Sequence, residues 1–253
     1  MISRRRLMIG GAGAVAAGGL GWLGVSTLTG GGRQPLALVY RGPASTSGCP
    51  EAVATLLRST PSRFRVEFCG PHENVRLSRE SLAKAVVYAQ PGGGELKPAW
   101  RHMREYATDI QDWVRAGGNY LGFCLGGYLA GAGPGFGLLP GGTDQYISTP
   151  DASVTDDDDT VIGVRWRQNP VRMYFQDGPL FRLDPRGPAT VLATYDTGQP
   201  AAVVAPCGSG RIGVVGPHPE ADTTWFTTAR LDASGNLHPE LGYDLIETTV
   251  HKG

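Results

Sequence analysis

The sequence predicts an α/β protein: a mostly parallel sheet with helices on both faces, extended by antiparallel strands in its second half. Three observations predict it. Apolar runs alternate with helical stretches up to residue 123. The runs at Leu36–Tyr40 and Ala85–Ala89 are continuously apolar, as strands covered on both faces are. From Val161 onward, short strands succeed one another joined only by turns. The 253 residues suffice for one such domain with a well-buried core. Hydrophobic content of 41% and charge of 18% are those of an ordinary globular protein, and 38 glycines and 19 prolines predict many tight turns. Net charge is zero with no basic stripe, so nothing points to nucleic acid.

The N-terminus comes first in chain order. Ser3-Arg4-Arg5-Arg6-Leu7-Met8 resembles a twin-arginine export signal, and no charged residue occurs from Leu7 to Gly32. That span is diluted by glycine, unlike an ordinary membrane helix. No convincing A-x-A cleavage site comes after it, so retention as an anchor, with membrane association through residues 7–28, stays open. The expectation is an exported protein, secreted or membrane-anchored, with residues 1–33 as signal or anchor and residues 34–253 as the folded domain.

Within the domain, Leu36–Tyr40 is a buried strand, and a helix starts at Pro50 with Val53, Leu56 and Leu57 on one face. Phe64–Phe68 alternates apolar and polar residues, as a strand nearer the sheet edge does. Ala85–Ala89 is a strand ended by Pro91-Gly92-Gly93-Gly94. An amphipathic helix comes next, with Tyr106, Ile110, Trp113 and Val114 on one face and Gly117-Gly118 as its stop, and then a strand over Asn119–Phe123. Strands are predicted over Val161–Trp166, Val171–Phe175, Val191–Tyr195, Ala201–Ala205 and Ile212–Val215, and closing helices over Thr223–Arg230 and Glu240–His251. The acidic run Asp156–Asp159 reads as a solvated turn whose spacing fits no calcium loop. Four cysteines, at 49, 69, 124 and 207, allow three full pairings that spacing cannot choose among, and none has C-x-x-C spacing for structural zinc.

Chemistry concentrates at three places. An apolar strand runs into Gly122-Phe123-Cys124-Leu125-Gly126 and then into a helix, the layout of a nucleophile elbow. Gly122 and Gly126 permit close backbone approach, and the helix start aims N–H groups at the sulfur, favouring thiolate. The competing reading is a buried cysteine among packing glycines. Gly213-Val214-Val215-Gly216-Pro217-His218-Pro219-Glu220 delivers a histidine from a strand end with a carboxylate two residues on: a base for the thiol and an acid to orient the base. Gly92 and Gly93 come after another strand and, with the N–H of Leu125, suit an oxyanion hole. Tyr128, Tyr174 and Asp177 are candidate substrate-lining residues. His238-Pro239-Glu240 repeats the H-P-E triplet without a strand before it and reads as a helix start. His72, Glu73, His102 and Cys207 read as surface, unpartnered or turn residues.

At these points the chain resembles class I glutamine amidotransferase-like domains, which share a Gly-rich oxyanion loop, a G-x-C-x-G elbow and a late H-x-E. It is similar in particular to the biotin–protein ligase N-terminal domain, including stand-alone bacterial forms. The segments that carry this are Val39–Pro43, Pro91–Gly93, Trp113–Tyr128, Tyr174–Gly178, Val191–Tyr195 and Gly216–Glu220. The resemblance implies a flavodoxin-like fold and carries triad roles onto Cys124, His218 and Glu220. Two departures matter. Tyr128 stands four residues after the cysteine, where glutamine-hydrolysing members have Gln, and the sequence lacks a G-R-G-R-type biotinyl-AMP loop. The expectation is a cysteine-dependent hydrolase or acyl-transfer enzyme acting on an amide-like bond of a small molecule or peptide, with no cofactor and no metal. The alternatives are a catalytically silent binding or regulatory module and a glutaminase. Biotin ligation is not expected.

Overall fold

A computed structural model describes residues 34–251; the predicted signal or anchor at residues 1–33 lies outside the described residues. Among the described residues no helix is long and apolar enough to cross a membrane. The elements run β1 (Leu36–Tyr40), α1 (Cys49–Ser59), β2 (Arg65–Cys69), α2 (Arg79–Leu82), β3 (Val87–Gln90), α3 (Leu96–Met103), α4 (Ala107–Arg115), β4 (Asn119–Phe123) and α5 (Leu125–Leu129). They continue with β5 (Gly141–Gln145), β6 (Thr160–Trp166), β7 (Asn169–Phe175), β8 (Pro179–Leu183), β9 (Thr190–Tyr195), β10 (Pro200–Cys207), β11 (Gly210–Val215), α6 (Thr223–Thr228) and α7 (Pro239–Val250).

Nine strands form one sheet in the order β2-β1-β3-β4-β11-β10-β9-β6-β7. The pairs from β2 to β11 are parallel, and those from β11 to β7 are antiparallel. This is the predicted architecture, a flavodoxin-like parallel half extended by antiparallel strands. Strand alternation sends successive residues to two separate cores. Ala37, Val39, Ala89, Leu121 and Phe123 meet Val53 and Leu57 of α1 and Leu245 and Ile246 of α7. Leu38, Tyr88, Tyr120 and Val214 meet Met103, Ile110 and Val114 of α3 and α4 and Leu125 and Leu129 of α5.

Local sequence explains the element ends. Pro50 occupies the first turn of α1, where its missing N–H costs nothing, and the Glu51 carboxylate accepts the Gly48 N–H at 3.0 Å. Gly117, at φ 125°, takes the chain out of α4. Strand β2 lies at the sheet edge with only its last residue buried, as its alternating pattern predicts.

Four expectations are corrected. The predicted strand at Ala85–Ala89 begins only at Val87, because Val86 is exposed, and it runs on through Gln90. Tyr106 lies in a 3₁₀ turn ahead of α4 instead of on its buried face, which Ile110 and Val114 form. His102 sits inside α3, a separate helix hidden in the sequence by Pro98 in its first turn. Cys207 ends β10 rather than standing in a turn. The two-stranded sheet of β5 and β8 was not foreseen at all. All four cysteines are unpaired.

The glycines flanking the cysteine answer to a tight backbone contact. A Cβ at Gly126 would overlap the Gln90 carbonyl oxygen at the end of β3, and one at Gly122 would overlap the carbonyl of Gly126. Gly126→Ala is therefore expected to lower stability by about 1–3 kcal/mol through backbone displacement. Gly163→Ala, with open space around it, should stay within about 0.5 kcal/mol. Urea midpoints measured at constant m-value check both; equal midpoints would refute the contact.

Candidate active site

Strands β3, β4 and β11 are parallel neighbours that end at one level: Gln90 pairs with Gly122, and Phe123 pairs with Val215. The residues just beyond each strand are therefore delivered to one crevice at the carboxyl edge of the sheet, where ligands bind in open α/β folds. The three deliveries are Pro91-Gly92-Gly93, Cys124, and Gly216-Pro217-His218.

Cys124 has φ 47° and ψ −103°, a conformation that costs a non-glycine residue roughly 1–3 kcal/mol. Its backbone is held from both sides: the Cys124 N–H donates to Val215 O at 2.9 Å, and its carbonyl accepts the Tyr128 N–H at 3.1 Å. Tyr120 adds a bond from its hydroxyl to Gly126 O at 2.7 Å, pinning the first turn of α5. The sulfur is half-buried and lies 3.6 Å from the carbonyl oxygen of Gln176.

His218 and Glu220 are only 5% and 6% exposed, and Nδ1 lies 2.9 Å from Oε1. The His218 main-chain N–H donates to Tyr174 O at 2.9 Å, which locks the strand exit in place. Tyr174 and Trp225 pack against the imidazole at centroid distances of 5.9 and 5.2 Å. Gly92 sits between base and sulfur: a Cβ there would stand 3.1 Å from His218 Cε1 and 3.4 Å from Cys124 Cβ. Burial is the largest influence on the imidazole and pushes its pKa down, but the Glu220 charge and the neighbouring Cys124 sulfur outweigh it and raise the pKa to about 10. The structure thus places Cys124 and the His218 ring on either side of Gly92, with Nδ1 committed to Glu220.

The glycine loop is equally constrained. Gly93 has φ 109°, a Cβ there would overlap Thr46, and the Thr46 N–H donates to Gly92 O at 3.2 Å. Below it, the fully buried Gln90 side chain accepts from Tyr88 at 2.7 Å and donates to Ala44 O at 2.8 Å. Leu125 is the first residue of α5, so its N–H has no partner within the helix, and the residue borders the same crevice.

The three candidate lining residues also border the cavity, whose volume is about 1180 Å³. Tyr128 donates to the Asp177 carbonyl at 3.2 Å, and burial drives its phenol pKa well up. Tyr174 is 5% exposed and serves mainly as packing for His218. Asp177 holds φ 44°, accepts from Gln145 Nε2 at 2.9 Å, and has its second carboxylate oxygen buried without a partner. Sequence reasoning missed Thr46, Cys49, Gln145, Gln176 and Trp225 on the cavity wall. Trp225 had a signal, a tryptophan one turn into the helix after the H-P-E triplet; Gln145 and Thr46 had none.

The sign of the His218 shift fixes a pH dependence. A folded-state pKa above the unfolded 6.5 gives stability that is complete below pH 6.5 and declines as pH rises toward about 10. Carbon-13 NMR of the His218 ring should show titration well above 6.5, and Glu220→Gln should move it down by more than one unit. A ring titrating near 6.5 in both proteins would overturn the pairing.

Residues 36–138 match the family model described as "Biotin-protein ligase, N terminal". That span includes Cys124 and the glycine loop and ends before His218. The chain is 26% identical over 160 residues to the imidazole glycerol phosphate synthase subunit HisH of Acaryochloris marina, covering 58% of this chain and 74% of that protein. The corresponding subunit of Nostoc punctiforme is 30% identical over 97 residues, covering 35% and 46%. Among solved structures, an exo-β-1,4-mannosidase from Opitutaceae bacterium strain TAV5 aligns with a TM-score of 0.49 and 15% identity over 87% of this chain and 36% of that enzyme. The family match and the amidotransferase relatives place this chain in the class I glutamine amidotransferase-like superfamily, with the biotin-protein ligase N-terminal family matched over residues 36–138.

Proposed function

We propose that the protein is an exported cysteine-dependent hydrolase or acyl-transfer enzyme acting on an amide-like bond. One observation carries the reading: a cysteine held at φ 47° shares a crevice with a buried histidine whose Nδ1 is engaged by a buried carboxylate. In this scheme the Cys124 thiolate attacks the substrate carbonyl carbon, and the N–H groups of Gly92, Gly93 and Leu125 receive the oxyanion. His218, protonated beside Glu220, delivers a proton to the leaving amine as the C–N bond breaks. Water or another acceptor then attacks the thioester, losing its proton to His218 and freeing the thiolate.

Glutamine is not the proposed substrate. The synthase named for the relatives does not transfer to this chain, because Tyr128 occupies the position four residues after the nucleophile and its hydroxyl is spent on Asp177 O. Export rests on the arginine cluster at residues 4–6, and ammonia released outside the cytoplasm would serve no synthase.

The test is labelling of the folded protein with iodoacetamide, read residue by residue by mass spectrometry. Burial pushes the Cys49 thiol up to about 12 and raises Cys69 and Cys207, so these three should react slowly. Cys124 should be modified first at neutral pH, and His218→Ala should slow it at least tenfold, the low end of what a positioned base contributes being on the order of a hundredfold. Labelling indifferent to His218→Ala would leave a silent binding module. For export, lysine at positions 4, 5 and 6 together should keep the protein in the cytoplasm in a fractionation assay. Normal export of that variant would refute the twin-arginine route.

A further inference from the structure

The walls of the cavity around Cys124 carry seven carboxylates and, among the described residues, no lysine or arginine. Most have partners. Glu51 is paired with Arg41 at 3.0 Å, Asp144 with Arg182, and Glu220 with His218. Asp222 caps α6 by accepting from Thr224 and Trp225. Asp157, Glu95 and Asp177 have no cationic partner among the described residues.

Asp177 differs from the other two in being built into the site. Its backbone is strained at φ 44°, and a Cβ on the next residue, Gly178, would overlap the Gly216 carbonyl, so the turn is wedged against the strand exit that delivers His218. The preceding residue, Gln176, offers its carbonyl to the Cys124 sulfur at 3.6 Å, and Tyr128 from the cysteine's own helix bonds Asp177 O at 3.2 Å. The backbone that carries this carboxylate is therefore fixed beside Cys124, and both residues line the same cavity. One of its oxygens is buried with no donor among the described residues, a deficit that a donor on a ligand would remove. The other is covered by Gln145, an exposed side chain free to give way. Burial and the charge of Asp157 hold the Asp177 carboxyl above its ordinary range, as expected for a carboxylate waiting for a cation.

We propose that the substrate of this site carries a cationic amine near its scissile carbonyl, and that Asp177 is the residue that binds it. This rests on Cys124 being the nucleophile. An anionic acyl group, or the carboxylate of a free amino acid, would meet like charge everywhere on these walls except at the His218 ring, which Glu220 already engages. Trp225, half-buried on the same wall, offers an aromatic surface that tolerates a cation as well as an apolar group.

The test uses three methanethiosulfonate reagents that differ in charge: 2-aminoethyl (cation), methyl (neutral) and 2-sulfonatoethyl (anion). In each, the thiolate attacks the sulfenyl sulfur, a disulfide forms, and methanesulfinate leaves. Rates at Cys124 are measured by mass spectrometry and divided by the rates for glutathione, which removes intrinsic reactivity. The wild-type protein should favour the cation over the neutral reagent and the neutral reagent over the anion, each by about tenfold at low salt, and hence the cation over the anion by on the order of a hundredfold. Asp177→Asn should cut the cation-to-neutral ratio about tenfold or more. Asp157→Asn, an exposed change, should cut it far less. Equal normalised rates for cation and anion in the wild type would overturn the proposal without any variant, and a ratio unchanged in Asp177→Asn would overturn the role of that residue. Failure of Cys124 to react with any of the three would instead overturn the nucleophile reading beneath it.

Discussion

At the carboxyl edge of the sheet, the first turn of α5 is pressed against the end of β3 so closely that only hydrogen fits on the Gly126 α-carbon. That contact fixes the angle at which the chain leaves β4, and the strain at Cys124 is its consequence. With α5 pushed against Gln90, the residue joining strand to helix is forced to φ 47°. Burial of Leu125 and Leu129 and the Tyr120 hydroxyl bond to Gly126 O hold the turn there. The same contact sets the height of the Gly92–Gly93 loop, because Gln90 is the last strand residue before it. Cys124 and the glycine loop are thus two ends of one packing constraint.

The histidine is positioned by different means. His218 and His238 both lie in H-P-E triplets, and both place Nδ1 within 2.9 Å of the glutamate two residues on. The triplet alone therefore makes the imidazole–carboxylate pair. The difference between the two is environment: the side chains of His218 and Glu220 are 4% and 0% exposed, those of His238 and Glu240 19% and 60%. In water such a pair contributes little. Under Tyr174 and Trp225, away from solvent, the carboxylate holds the proton on the ring against a strong desolvation effect. Strand β11, by ending beside β4, turns a common local motif into a charged partner for a thiol.

Much of this was legible in the sequence because it arises from local rules. All nine strands of the main sheet show as apolar or alternating runs, and the edge position of β2 shows in its alternation. The elbow glycines announce a close approach before any coordinates do. The rest was hidden for physical reasons. Gly141-Gly142-Thr143-Asp144-Gln145 has no apolar side chain, so β5 exists only because β8 is there to pair with it. Helix α3 is short, carries Pro98 and buries only two residues, Ala99 and Met103. Thr46 and Gln145 reach the cavity from loops and edges whose placement depends on the finished sheet.

Charge balance links the two halves of the site. A thiolate and a buried carboxylate on either side of one imidazole leave that unit with a surplus negative charge even when the ring is protonated. A further unpaired carboxylate, at Asp177, borders the same cavity and adds to its negative charge. A bound ammonium group reverses this: it neutralises Asp177 and adds positive charge near the sulfur. In the proposed scheme, the cation that satisfies the carboxylate would be a group remote from the scissile bond whose binding energy serves to place the carbonyl at Cys124. An uncharged or anionic amide entering the same cavity would find the carboxylate still unpaired. Selectivity in such a site needs no extra contact for the wrong substrate to lose, only the absence of the charge that the right one brings.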